Sequence, residues 1–207
     1  MNKINMKKWG KISLLSALAI GILFIANFAM AADSAVWTTL DVSGGLTDKV
    51  TLNVSEELRF ADATDPSLAR QDTDISVSYN LGELFSALGG YKNTSAGEHR
   101  PYVGVGLRLM RGDINLDNTT KLELRDWDTL RGRTELTASA SVAGVTPWIT
   151  NELFVDDSGL TGNRASVGVT KGLNDTFALR GYYLLDTAIG DATSHTHVLG
   201  LGLGVSL

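Results

Sequence analysis

From Lys49 onward the chain alternates between apolar and polar residues, and a period of two leaves few folds open. "KVTLNVSEELRF" sets Val50, Leu52, Val54, Leu58 and Phe60 against Thr51, Asn53, Ser55, Glu57 and Arg59. "TDISVSYNL" opposes Ile75, Val77, Tyr79 and Leu81 to Asp74, Ser76, Ser78 and Asn80. "RPYVGVGLRLMR" opposes Val103, Val105, Leu107 and Leu109 to Tyr102, Gly104, Gly106 and Arg108. "TKLELRD", "LRGRTELTASASV", "NRASVGVTKG" and "TFALRGYYLLD" continue the habit. Successive side chains of an extended chain point to opposite faces, so each segment predicts a strand with one apolar face. No segment of twelve residues carries a helical period. The chain is all-β.

One of these segments, "HVLGLGLGVSL", narrows the environment. Leu199, Leu201, Leu203, Val205 and Leu207 share one face, and Gly200, Gly202, Gly204 and Ser206 the other. A soluble half-buried strand carries polar or charged groups on its second face. In a membrane barrel wall, lipid demands an apolar outer face while the inner face need only fit the lumen.

Turns and aromatics agree. Short turns fall at 46–49, 81–84, 111–113, 143–146 and 172–175. Longer polar loops are expected at 61–72, 93–99, 156–163 and 187–194, with a tight "DWDT" (126–129) on that side. Phe60, Tyr91, Tyr102, Trp127, Phe154 and Tyr183 lie near the loops; Tyr79, Phe85, Trp148 and Phe177 lie near the short turns. Such an arrangement suits two interfacial girdles. Ten good antiparallel segments, with "VWTTLDVSGG" (36–45) before them, predict an antiparallel transmembrane β-barrel of about 10–12 strands. Glu56 and Asn151 fall on the lipid phase and oppose this. The alternative is a secreted soluble β-barrel that turns its apolar face inward around a small apolar ligand.

The first residues indicate export. "MNKINMKKWGK" is basic, "ISLLSALAIGILFIANF" is apolar, and Ala29, Met30 and Ala31 offer a small-residue cleavage site. That order predicts a signal peptide over 1–31 and a barrel over 32–207. Cleavage lowers Lys+Arg from 18 to 14 against 23 Asp+Glu, a mature charge of −9. So acidic an exported chain is a poor partner for nucleic acid. Without cysteine it has no disulfide framework and no thiolate metal site.

An opening tryptophan, "LNVSEELRF", "ISVSYNL", "FSALGGYKN", "EHRPYVGVGLRL", "RGRTELTA", "TPWITNELFVDD" and "RASVGVTKGLNDTFALRGYYL" follow one another in order. That order resembles the bacterial family described as domain of unknown function 2490, whose members are expected to be outer-membrane β-barrels. The resemblance covers essentially all of 32–207, including "ELRF" (57–60), "HR" (99–100), "NELF" (151–154) and "GYY" (181–183). It implies a barrel in the outer membrane of a Gram-negative bacterium. Outer-membrane lipid, lipopolysaccharide and the barrel-assembly machinery would be its partners. Leu207 stands where most such barrels end in an aromatic. The family carries no established reaction, so no catalytic residue transfers.

Chemistry-bearing residues are few. His195 and His197 share a face near a loop, where two imidazoles suit a metal, or a base for Ser194. Their phase is that of Leu199, so such a site would belong to a lipid-modifying enzyme; rim residues at headgroup level are the simpler expectation. His99 and Arg100 are expected on a loop. Asp126/Asp128 and Asp156/Asp157 suit solvated loops, and neither a metal nor another cofactor is expected. The inward phase is richer: Glu57, Arg59, Arg108, Arg125, Arg131, Arg133, Glu135, Glu152, Arg164 and Arg180 are the lumen-lining candidates. With Lys92, Lys121, Asp74 and Glu123 the lumen would hold nine bases against five acids. The missing negative charge would lie on loops, at Asp62, Asp65, Asp72, Glu98, Asp126, Asp128, Asp156, Asp157 and Asp191. The expected function is a structural or narrow-channel barrel with weak anion preference and no enzymatic site.

Overall fold

The computed structural model describes residues 34–61, 67–111, 113–190 and 193–207; the signal peptide expected over 1–31, and Asp62, Asp65 and Asp191, lie outside these. Eleven strands follow in chain order: β1 (Ser34–Gly45), β2 (Val50–Phe60), β3 (Leu68–Asn80), β4 (Phe85–Thr94), β5 (His99–Arg111) and β6 (Ile114–Arg125), then β7 (Thr129–Ala140), β8 (Thr146–Asp156), β9 (Gly159–Gly172), β10 (Phe177–Ala188) and β11 (Ser194–Ser206). Each pairs with its chain neighbours and β1 pairs with β11, so the sheet is a closed barrel.

Ten of the eleven ladders are antiparallel. The closing ladder is parallel, from Ser34↔His197 to Ser43↔Ser206. Eleven strands fall within the expected 10–12, and counting explains the one parallel ladder. With an odd number of up-and-down strands, the first and last run the same way and must close in parallel. The segment at 36–45 is therefore a full wall strand. Closure leaves no open sheet edge, so the wall's backbone groups pair with neighbouring strands all the way round.

The wall alternates as the period demands. Val103 and Leu201, each 64% exposed, project outward while their neighbours Tyr102 and Gly200 are buried. Val77, Tyr79, Phe85, Leu122, Leu136, Ile149 and Leu179 are exposed on the same outer phase. Glu56 is outward too, where its carboxylate accepts bonds from Gln71 Nε2 (2.5 Å) and Thr73 Oγ1 (2.6 Å). Asn118 Nδ2 bonds Thr134 Oγ1 (3.3 Å) and the Glu135 carbonyl (3.1 Å). Outward polar groups thus satisfy one another's hydrogen bonds.

Several connections are tighter than their composition suggests. Leu68–Gln71 and Asp72 belong to β3, Thr94 ends β4, and His99 and Arg100 open β5. The expected loop at 156–163 is a hairpin from Asp156 to Gly159. Asp126 and Trp127 (φ 50° and 66°) and Ala143 and Gly144 (φ 50° and 76°) take left-handed backbone. Ala143 and Gly144 make a two-residue loop between Val142 and Val145, and their two positive φ angles match the right-handed twist of such a hairpin.

Candidate functional site

Inward side chains sort by height along the barrel. On the loop side, carboxylates are buried among several cations each. Asp72, 1% exposed, lies 2.6 Å from Arg70 Nε, 3.2 Å from Arg59 and 3.1 Å from Lys92. Glu98 accepts from Arg100 and, at 2.8 Å, from Arg125, with Arg70 at 3.7 Å. Glu123, 2% exposed, takes Arg131 at 2.5 Å and Arg133 at 3.6 Å. Glu152 binds Arg133 and stands 3.7 Å from Arg164, which reaches Asp186 at 3.0 Å.

Aromatic rings fill the gaps between these groups. The Trp37 ring carries the guanidinium of Arg59 at 4.0 Å and that of Arg164 at 5.3 Å. Phe154 receives Arg131 and Arg164, each at 4.9 Å, and Arg133 at 5.8 Å. Tyr102 donates its hydroxyl to Asp74 (2.5 Å) beneath Lys121, 4.4 Å over the ring. Contacts therefore run from Arg59 through Trp37, Arg164 and Phe154 to Arg131 and Glu123, joining β2, β1, β9, β8, β7 and β6. Desolvating so many charges is costly unless each is paired, and here the acids are shared. The Nε donors of Arg100, Arg125 and Arg164 are buried without an acceptor.

Below this layer the lumen is open. A cavity of about 580 Å³ runs toward the short turns between Ser139, Thr146, Trp148, Thr170, Arg180 and Tyr182, and is roofed by Glu57, Arg133, Glu152 and Arg164. Arg180 and Asp41 face each other there at 3.5 Å, 43% and 38% exposed. Ser55 Oγ donates to Asp41 (2.7 Å), and Thr137 and Thr150 share a bond of 2.7 Å.

The family model for Protein of unknown function (DUF2490) matches residues 34–194. The chain belongs to this family. No curated protein matches it. Among solved structures it is similar to an anion-selective porin from Comamonas acidovorans, at 15% identity and a TM-score of 0.40, over 73% of this chain and 55% of that one. It is also similar to a KdgM porin in complex with disordered oligogalacturonate, at 13% identity and a TM-score of 0.47, over 82% of this chain and 96% of that one. The chain spans about half the length of the Comamonas porin.

In this DUF2490 member, Glu57, Arg59, Arg125, Arg131, Arg133, Glu152 and Arg164 lie in or under the loop-side layer. Glu135 and Arg180 line the open cavity, and Arg108, 66% exposed, pairs with Asp117 (2.7 Å) at the short-turn mouth. Asp41, Arg70, Asp72, Arg100, Asp117 and Asp186 also point inward, as their phase implies once the strands are given their full length. Asp72, Glu98 and Arg100 are thus corrected from solvated loops to the charged layer. Among the described residues eleven bases then face ten acids, Glu98 included, and the excess of four falls to one. Tyr102, Phe154 and Trp148, expected in the girdles, are corrected to the lumen, where they share the phase of Arg100, Glu152 and Thr150. His195 Nδ1 bonds Thr187 Oγ1 (3.0 Å) and His197 bonds Tyr183 on the outer face near the loops. No group of three metal-ligating side chains occurs among the described residues.

Proposed function

We propose that this chain is an integral outer-membrane β-barrel without enzymatic activity, whose lumen is a narrow path held shut on the loop side by the charged layer. The observation that carries this is the reversal of sidedness: exposed leucine, isoleucine and valine cover the outside, and paired charges fill the inside. A soluble barrel with that surface would expose apolar area to water at a cost of about 25 cal/mol per Å². Long loops face outward from the cell and short turns face the periplasm in such barrels, so the open cavity would face the periplasm. When the layer parts, the single excess base and the cluster at Arg59, Arg70, Lys92, Arg100, Arg125 and Arg131 favour small anions weakly.

Insertion and ion preference test this. Leu203→Arg places a cation on the outer wall and should block stable insertion, at about 2–4 kcal/mol near the midplane. Leu203→Met should insert like the wild type. In a planar bilayer under a salt gradient, the residual current should reverse on the anion side. Recovery of Leu203→Arg as native barrel from the membrane, or a cation preference, would refute the proposal.

A further inference from the structure

One oblique row of the wall starts at Trp37 in the charged layer and runs on into the open lumen. Trp148 pairs across to Gly168, Gly168 to Tyr182, Tyr182 to Gly200 and Gly200 to Trp37. The inner surface of five neighbouring strands therefore reads aromatic, glycine, aromatic, glycine, aromatic. A Cβ added at Gly168 would collide with the Trp148 ring, and one at Gly200 with the Tyr182 ring. The glycines let both rings lie along the wall, so the lumen beside them stays open.

Because rows run obliquely to the axis of a barrel, this stripe climbs. Trp148 is the third residue of β8, next to a short turn; Tyr182 is mid-β10; Trp37 is the fourth residue of β1, next to the loop side. The Trp148 and Tyr182 centroids are 5.9 Å apart at 47°, and both rings are half-buried against the cavity. Trp148 Nε1 donates to Thr170 Oγ1 (3.2 Å), which fixes its ring. Asp41 and Arg180 stand beside the stripe, and Thr39 Oγ1 is buried there with no partner.

We propose that this stripe is a binding track for a neutral saccharide, entered from the short-turn end and stopped at Trp37 beneath Arg59 and Arg164. Flat rings complement the C–H faces of pyranoses, while adjacent carboxylates and guanidinium groups bond vicinal hydroxyls in pairs. A cavity of about 580 Å³ falls in the range of small-molecule sites. Its acids, Asp41, Glu57, Glu135 and Glu152, outnumber Arg133, Arg164 and Arg180, so an acidic sugar is disfavoured. The direction of entry rests on the membrane-barrel function proposed above; the site itself does not.

Protein purified from membranes in detergent is titrated by calorimetry with maltotriose and, separately, with trigalacturonate. Maltotriose should bind saturably and the more tightly of the two. Trp148→Ala should weaken it roughly tenfold or more, Trp148→Phe should retain most of the affinity, and Trp127→Ala, on an exposed turn, should leave it unchanged. Gly200→Ala, which lifts the Tyr182 ring off the wall, should also weaken binding, with heat-dependent gel mobility reporting that the barrel is folded. No maltotriose binding by folded wild type, or undiminished binding by folded Trp148→Ala, overturns the track. Tighter binding of trigalacturonate overturns the neutral class. Insertion into bilayers is measured on the same preparations. A protein that inserts but binds no sugar refutes the track alone, and one that binds sugar without inserting refutes the membrane barrel alone.

Discussion

The two ends of this lumen are built from the same residue types and behave as opposites. On the loop side, Asp72 and Glu123 are shut from water and each serves two or three cations, with Trp37 and Phe154 packed between the guanidinium groups. On the short-turn side, Arg180–Asp41 and Arg108–Asp117 are one-to-one pairs, a third or more exposed. Charge alone neither closes nor opens a barrel. What differs is sharing: a carboxylate bound by several cations needs no water, so rings can displace it. A single pair leaves donors and acceptors that only water satisfies.

The largest expected contrast comes from removing one acid at each end. Glu123→Ala leaves Arg131 and Arg133 buried with a lost partner and should cost about 3–5 kcal/mol. Asp41→Ala removes an exposed partner and should cost less than about 1 kcal/mol. Urea unfolding in a fixed detergent measures both, and similar losses would erase the distinction between the ends.

A smaller contrast lies within one strand. Gly200→Ala forces a methyl into the Tyr182 ring and should cost about 1–3 kcal/mol as overpacking. At Gly204 the added Cβ meets Ala178 at 3.8 Å, an ordinary contact, so Gly204→Ala should stay within about 0.5 kcal/mol. The same unfolding series separates them; equal tolerance would mean that the ring does not lie on the wall.

The smallest effect is electrostatic screening. A double-mutant cycle on Arg108–Asp117 should give a coupling of about 0.2–1 kcal/mol that fades at high salt. The cycle on Arg131–Glu123 should change little, because buried pairs are poorly screened. A salt-sensitive Arg131–Glu123 coupling would show that water enters the layer.

Strand phase was legible because alternation is local, and with it the inward course of Glu57, Arg131, Arg133 and Glu152. Strand length was not. "DATDPSLARQDTD" has the composition of a loop, yet Asp72 continues β3 because Arg59, Arg70 and Lys92 satisfy it, and none of these is its sequence neighbour at ladder distance except Arg70. Trp148 and Phe154 were drawn toward the girdles by their nearness to strand ends, although their phase pointed inward. The partner glycines carry the missing signal: a large ring inside a barrel wall needs a bare neighbour, and Gly168 and Gly162 lie opposite these two. The parallel closure had no local mark, since the pairing of Trp37 with Gly200 joins the far ends of the described chain.

Single-channel recording tests the closed layer most directly. Wild-type protein in a planar bilayer should show no steady open level. The double variant Phe154→Ala, Arg164→Ala, which removes a ring and the guanidinium stacked on it, should show long-lived openings. A steady open current through the wild type, equal to that of the double variant, would contradict a lumen closed on its loop side.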